Sequence, residues 1–377
     1  MALLRGGAVL ATDGYPTRSA LQSAAPGQTH DVVPPTARAW EERMAKAGAR
    51  WLKGTALASD FGVSHRRGAR YVFKWGTNVP GAHPLNVHAQ RAADAIRQDT
   101  DGEFDLQLFP NNELGGDSSM FAQLRSGELE CFTLSGVNVL SAVVPAAAIH
   151  GVGFAFPDYA AVWKALDGRL GRHLRARIEK SGLVVMDRIW DNGFRQITTS
   201  TRPIIEPADL QGLHLRVPIS ALWVSLFQSL GAAPGGMDFS EVYAALQAKI
   251  FDGQENPLAI ISTARLNEVQ THCSLTNHMW DGWWVLINRQ AWEQLPQAIQ
   301  EIVSRNLNAA ASEQRQDVAN LNSRFKSDLV AKGLVFNEVD PAPFQEKLRH
   351  SGYYVQWRNN FGEEAWSLLE EATGTLA

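Results

Sequence analysis

Two cysteines in 377 residues leave little room for a covalent framework. Cys131 and Cys273 stand far apart, and no C-x-x-C pair is present, so neither a disulfide-rich fold nor a zinc ribbon is encoded. Apolar runs are short. None approaches the roughly 20 residues needed to span a bilayer as a helix, so no direct membrane span is expected. Phosphate-cradling and nucleophile motifs are missing as well: there is no P-loop, no G-x-G-x-x-G and no G-x-S-x-G. That removes the sequence support for nucleotide binding and for a hydrolase. His272, Cys273 and His278 carry metal-ligating atoms, but their spacing does not match a metalloprotease helix and no acidic partner accompanies them. No metal and no cofactor are therefore expected. Excess positive charge is also lacking. Thirty-five basic against 39 acidic residues give −4, which argues against nucleic acid as a partner.

What is present is an ordinary globular composition, 45% hydrophobic and 20% charged, long enough for two domains with their own cores. Charge is unevenly spread. Residues 1–70 hold ten basic and five acidic side chains, net +5, which leaves −9 on the remainder. The first 35 residues are rich in Ala, Gly, Ser and Pro. Thr36 can cap a helix with Trp40, Met44, Ala47 and Trp51 on one face. Neither Met1 nor Met44 opens a segment with the apolar centre of a secretory leader. Residues 1–68 are expected to be a flexible extension outside the fold.

From Tyr71 the pattern turns regular. Tyr71, Phe73 and Trp75 alternate as in a strand. Pro84 suits a first helical turn, with Leu85, Ala89, Ala92, Ala93 and Ile96 inward. Phe104, Leu106 and Leu108 mark a second strand, and residues 117–126 a helix stopped by Gly127. Residues 128–136 read as a third strand. This βαβαβ order predicts a parallel sheet with right-handed crossovers. Residues 183–191 and 195–200 read as two more strands, 207–212 as a short turn of helix, 213–218 and 283–288 as strands. Residues 290–332 form one or two long helices ended by Gly333, followed by a strand at 334–339 and C-terminal helices. Within residues 230–257 (LGAAPGGMDFSEVYAALQAKIFDGQENP), Asp238 and Glu241 have the spacing of a capping box. Val242, Ala245, Leu246 and Ile250 form an apolar stripe, and residues 252–257 are a polar turn that a buried helix delivers to a cleft.

Six segments in order carry a family resemblance: HPLNVHAQRAADAI, FPNNELGG, RSGELE, RPIIEPADLQGLHLRVP, the run 230–257 and NEVQTHCSLTNH. Together they resemble the solute-binding proteins of tripartite ATP-independent periplasmic (TRAP) transporters, the DctP-like family. The resemblance implies an α/β, two-lobed periplasmic-binding-protein-like fold with an interlobe ligand cleft and a long lobe-spanning helix. Its lobes are expected at residues 70–192 with 281–320, and 193–280 with 321–377. It implies a periplasmic receptor, not an enzyme, that hands an organic carboxylate to TRAP permease subunits in the membrane. An extracytoplasmic carboxylate sensor, or an enzyme acting on a small organic acid, are the other readings of such a cleft.

Arg216 ends a predicted strand, where open α/β sheets place ligands, and its guanidinium is a planar fork matched to a carboxylate. By residue type alone it serves a structural ion pair equally well. The resemblance implies that it binds the ligand carboxylate, that Arg195 is a second anion contact, and that the Asn256 amide reaches the ligand. Phe239 is expected to wall the site and Ser135 to offer a hydroxyl. Of Trp280, Trp283 and Trp284, one is expected in the cleft, with Trp280 preferred, which favours a ring-bearing ligand such as a sugar acid or an aromatic acid. His83 heads the first helix and either contacts ligand or caps the loop before it.

Overall fold

A computed structural model describes residues 68–376. The helix expected at residues 36–51 and the extension to residue 67 lie outside the described residues.

The first three strands form as their alternation requires. β1 (Tyr71–Gly76) lies between β2 (Phe104–Phe109) and β3 (Cys131–Ser135), parallel to both. α1 (Pro84–Asp99) and α2 (Asp117–Ser126) make the crossovers. Leu85, Ala89, Ala92, Ala93 and Ile96 of α1 pack on Phe73, Trp75, Phe104 and Leu106 in one core. Gly127 ends α2 with φ +86°, a left-handed conformation in which a side chain would be strained.

The centre of the sheet departs from the parallel expectation. β5 (Trp190–Thr199) and β9 (His272–Asn288) are long antiparallel partners. β9 is one strand of 17 residues, not the short one expected at 283–288. Its last residues pair antiparallel with β3 and with β4 (Leu183–Val185), and its first with the parallel β10 (Val335–Glu338). Beyond β5 follow β8 (Gly253–Asn256), antiparallel to it, then β6 (His214–Val217) and β7 (Ala233–Gly236), both parallel. The sheet is therefore mixed: parallel at each end, antiparallel where β5 and β9 run through. The stretch 183–191, expected as one strand, is split, and Trp190 begins the same strand that contains Arg195.

These long strands join two lobes. One is built on β1–β4 with α1 and α2. The other is built on β6–β8 and β10 with α5 (Ala221–Ser229), α6 (Val242–Gln247) and α7 (Leu258–Thr263). Between β3 and β4 in sequence lie α3 (Tyr159–Leu166) and α4 (Arg169–Glu179). After a short α8 (Arg289–Glu293), α9 (Gln297–Ala331) runs for 35 residues across both lobes. Its Ile299, Val303 and Leu307 join the core of the first lobe, and its Leu329 packs with Val242, Leu246 and Cys273 of the second. Gln314 pins it between: its amide accepts from Asp191 N at 2.9 Å and donates to Asp191 O at 2.7 Å, completing a buried strand's hydrogen bonds from a helix. Arg315, beside it, holds Asp167 at 2.8 and 3.1 Å and lies over the Trp163 ring. Three C-terminal helices, α10 (Ala342–His350), α11 (Tyr353–Phe361) and α12 (Glu363–Thr373), bury Phe344, Tyr353 and Trp366 in a core shared with Leu174 and Trp223. Cys131 and Cys273 are both buried and free. No described helix is long and apolar enough to cross a membrane.

Candidate ligand-binding site

A small polar cavity of about 30 Å³ lies where the lobes meet. Most of its walls come from the carboxyl ends of strands, as the topology of open α/β sheets predicts. Past β1 stand Asn78 and Val79, past β3 Asn138, and past β6 Pro218. Ser135 closes β3, Asp117 opens α2, and Arg216 is the penultimate residue of β6. β5 contributes Asn192 and Arg195, and β9 contributes Asp281 and Trp283. Phe239, Asn256 and Trp223 complete the second lobe's face.

Arg216 is 1% exposed. Its Nε donates to Met237 O at 3.0 Å, and Nη2 donates to the same carbonyl. Nη1 has no partner among the described residues, and Arg216 forms no ion pair there. The guanidinium sits 5.9 Å from the centre of the Phe239 ring, which fixes one of its faces. Burial lowers its pKa to about 10, although Glu255, Asp117 and Asp238 pull the other way. A charge this deep without a counter-charge is costly, and the cost is relieved by an anion brought to Nη1.

Arg195 lines the same cavity but is already engaged. It grips Glu255 through Nε and Nη2, reaches Asn256 Oδ1 at 3.0 Å and donates from Nη1 to Asp281 Oδ2 at 3.1 Å. It also lies over the Trp223 ring at 4.9 Å. Burial disfavours its charge, yet Glu255 and Asp281 more than compensate and raise its pKa. Glu255 is buried too, and Arg195 and His278 outweigh that burial to hold its carboxyl below the usual range. Arg195 thus has mainly internal acidic partners, unlike the free anion contact anticipated from the sequence.

Asn256 and Ser135 line the cavity with their polar groups turned to neighbours. The Asn256 oxygen accepts from Arg195, and Ser135 Oγ donates to Asp281 Oδ1 at 2.6 Å. The expected polar turn at 252–257 is in fact β8, and Gln254, Glu255 and Asn256 are buried within it. The capping box does not form. Asp238 precedes a 3₁₀ turn (Phe239–Glu241), makes no side-chain cap, and accepts from Ser118 Oγ at 3.2 Å. Ile250 falls out of the stripe, 60% exposed, because α6 ends at Gln247 and Lys249 takes a positive φ.

Two expected site residues lie elsewhere. Trp280 is buried among His150, Phe156 and Trp163, and its Nε1 donates to Asp191 Oδ1 at 2.9 Å. Alternation along β9 explains the exchange: Trp280, Trp284 and Leu286 face one core, while Asp281, Trp283 and Val285 face the other side, where the cavity opens. Of these three tryptophans, Trp283 is the one that lines the cavity. His83 caps α1, its Nδ1 accepting from Leu85 N at 3.1 Å, and packs edge-on to Trp283 without lining the cavity. Burial lowers its pKa to about 3, so it is neutral.

Sequence reading missed Asp117, Asn78, Asn138, Asn192 and Asp281. Asp117 is 1% exposed and accepts from Asn78 Nδ2 at 2.9 Å and Asn138 Nδ2 at 2.8 Å. Burial, with help from Asp238, pushes its pKa up to about 6. Asp281 is also raised by burial, against the pull of Arg195. The signal that could have found Asp117, Asn78 and Asn138 was position: each follows a strand of the first βαβαβ unit within a few residues or opens the next helix. Among the described residues no cluster of His, Cys, Asp and Glu could hold a metal ion.

The profile of bacterial extracellular solute-binding protein family 7, DctP, matches residues 75–354. The 2,3-diketo-L-gulonate-binding periplasmic protein YiaO of Escherichia coli is 33% identical over 276 residues, 73% of this chain and 84% of that protein. Among solved structures, the fold is similar to the sugar acid binding protein DctPAm of Advenella mimigardefordensis in complex with galactonate. The TM-score is 0.77 at 26% identity, covering 82% of this chain and 100% of that one. A TRAP periplasmic solute-binding protein of Sulfurospirillum deleyianum with bound succinate gives a TM-score of 0.76 at 28% identity, covering 81% and 99%. With a family match across most of the described fold, the chain belongs to the DctP family of bacterial extracellular solute-binding proteins.

Proposed function

We propose that this protein captures an organic carboxylate between its lobes and delivers it to a TRAP-type membrane permease, and that it works as a receptor, not as an enzyme. The observation that carries this is Arg216: a buried guanidinium on the cavity wall whose Nη1 has no partner among the described residues. A carboxylate placed there gains charge-assisted hydrogen bonds from Nη1 in a buried site. Arg195, held by Glu255 and Asp281, fixes the shape of the wall beside it and has one Nη1 hydrogen to spare. Trp283 and Phe239 give the carbon chain apolar surface.

The lobe division that fits this function places residues 70–192 with 281–320 on one side and 193–280 with 321–377 on the other. Ligand contacts from both sides favour the closed arrangement only by as much as they are better there than in the open one. Micromolar capture requires about 8 kcal/mol net, within reach of one buried carboxylate pair, several hydrogen bonds and the apolar wall. Export to the periplasm follows from the same reading, and the permease is the partner it implies. Titration calorimetry with an organic-acid panel tests the reading. Saturable binding that Arg216→Ala removes supports it, and binding unchanged in that variant rejects it.

A further inference from the structure

The cavity contains more than the guanidinium. Two positive and two negative side chains line it: Arg195 and Arg216, Asp117 and Asp281. Glu255 adds a third carboxylate directly behind Arg195. Arg195 is consumed by these acids, so Arg216 is the one cation on the lining that is free of an ion pair among the described residues. Arg216 is therefore the one guanidinium left to meet an added carboxylate. A second carboxylate on the ligand would meet Asp117 or Asp281 with no cation left to offset the repulsion, in surroundings where like charges interact strongly.

The same lining is rich in hydrogen-bond acceptors. Asn192 is 2% exposed and its Oδ1 has no partner among the described residues. Each Asp117 oxygen accepts one hydrogen bond, from Asn78 and from Asn138, and so keeps capacity for another donor. Asp281 Oδ1, held by Ser135, also keeps such capacity. Unfilled acceptors in a buried wall are complementary to hydroxyl groups, and they penalise a bare hydrocarbon chain that would leave them unmet. We propose that the ligand is a hydroxylated monocarboxylic acid, that Asp117 accepts a hydrogen bond from one of its hydroxyls, and that Asp117 and Asp281 together exclude dicarboxylates. This rests on reading the cavity as a carboxylate site. It distinguishes between ligand classes that both occur bound to structures of this fold.

Calorimetry with four-carbon acids matched in length provides the test, using erythronate, succinate and butyrate, with galactonate as a longer hydroxy acid. The expected result is that erythronate or galactonate binds at least about 100-fold more tightly than succinate and butyrate. In Asp117→Asn the hydroxy acid is expected to lose about tenfold while succinate gains relative to it. The wild-type preference is decisive even if the variant folds poorly. Succinate or butyrate binding as tightly as the hydroxy acids would overturn the assignment while leaving the carboxylate reading intact. An unchanged preference in a folded Asp117→Asn would remove the role given to Asp117. Failure of every acid to bind would overturn both readings.

Discussion

Arg195 and Arg216 face one cavity, but the first is gripped by Glu255 and Asp281 while the second has a buried nitrogen without a partner among the described residues. The proposed function therefore gives the two arginines different parts: Arg195 builds the wall, and Arg216 is the one assigned to the ligand. Arg216→Ala is expected to weaken carboxylate binding by roughly 100-fold or more, read by calorimetry. Arg216→Lys should recover little of it, because a point charge does not replace the fork. Thermal melting of the ligand-free variant should stay near wild type, since the charge removed was unpaired.

Glu255 should behave in the opposite way. It holds Arg195 through both carboxylate oxygens and meets His278 at 3.0 Å. Glu255→Ala leaves the Arg195 charge buried with only Asp281 opposite it. A loss of about 3–5 kcal/mol in urea unfolding is expected, with ligand affinity falling as a secondary effect. Unaltered stability would show that the pair is not the fastener described.

Asp191 gives a pH signature. Burial, against the hydrogen bond from Trp280, raises its carboxyl to about 7 from the usual 3.8. Because the folded state holds this proton more tightly, the contribution is complete below about pH 4 and is lost as pH rises through about 7. Asp191→Asn keeps an acceptor for Trp280 without the charge. Its stability should match wild type near pH 4 and exceed it by on the order of 2–4 kcal/mol near pH 8, in urea titrations across that range. A difference that does not change with pH would contradict the raised carboxyl.

The neighbouring tryptophans separate folding from binding. Trp280→Ala removes a ring packed in the main core and should cost about 3–5 kcal/mol in unfolding free energy. Trp283→Phe keeps the core filled while altering the cavity wall, so it should change ligand affinity more than melting temperature. If the two variants gave the same pattern, the assignment of faces along β9 would be wrong.

Much of the molecule was legible because local patterns and tertiary packing agree. The βαβαβ unit is set by the alternation at Phe73 and Trp75 and by the proline and glycine that bound its helices. Arg216, Arg195 and Asn256, singled out by the resemblance, and Phe239 and Ser135, singled out from the residues, all line one cavity. What failed involved charge and polarity in buried strands. Gln254, Glu255 and Asn256 look like a turn because nothing local shows that Arg195 and His278 are waiting across the sheet. Trp280 and Trp283 cannot be ranked without the register of β9, which is set by partners 63 to 156 residues away. Asp117 has an unremarkable place at a helix start, and its importance comes from Asn78, Asn138 and Arg216, all brought to it by the fold.

The register between β5 and β9 slips twice, between Asp191 and Gly193 and between Arg195 and Ile197. Those slips bracket the stretch that presents Asn192 and Arg195 to the cavity. Since both strands continue unbroken from one lobe into the other, there is no pivot loop in them to absorb a swing. Under the proposed function, any movement of one lobe against the other has to bend these strands, and the irregular stretch of β5 that lines the cavity lies within them.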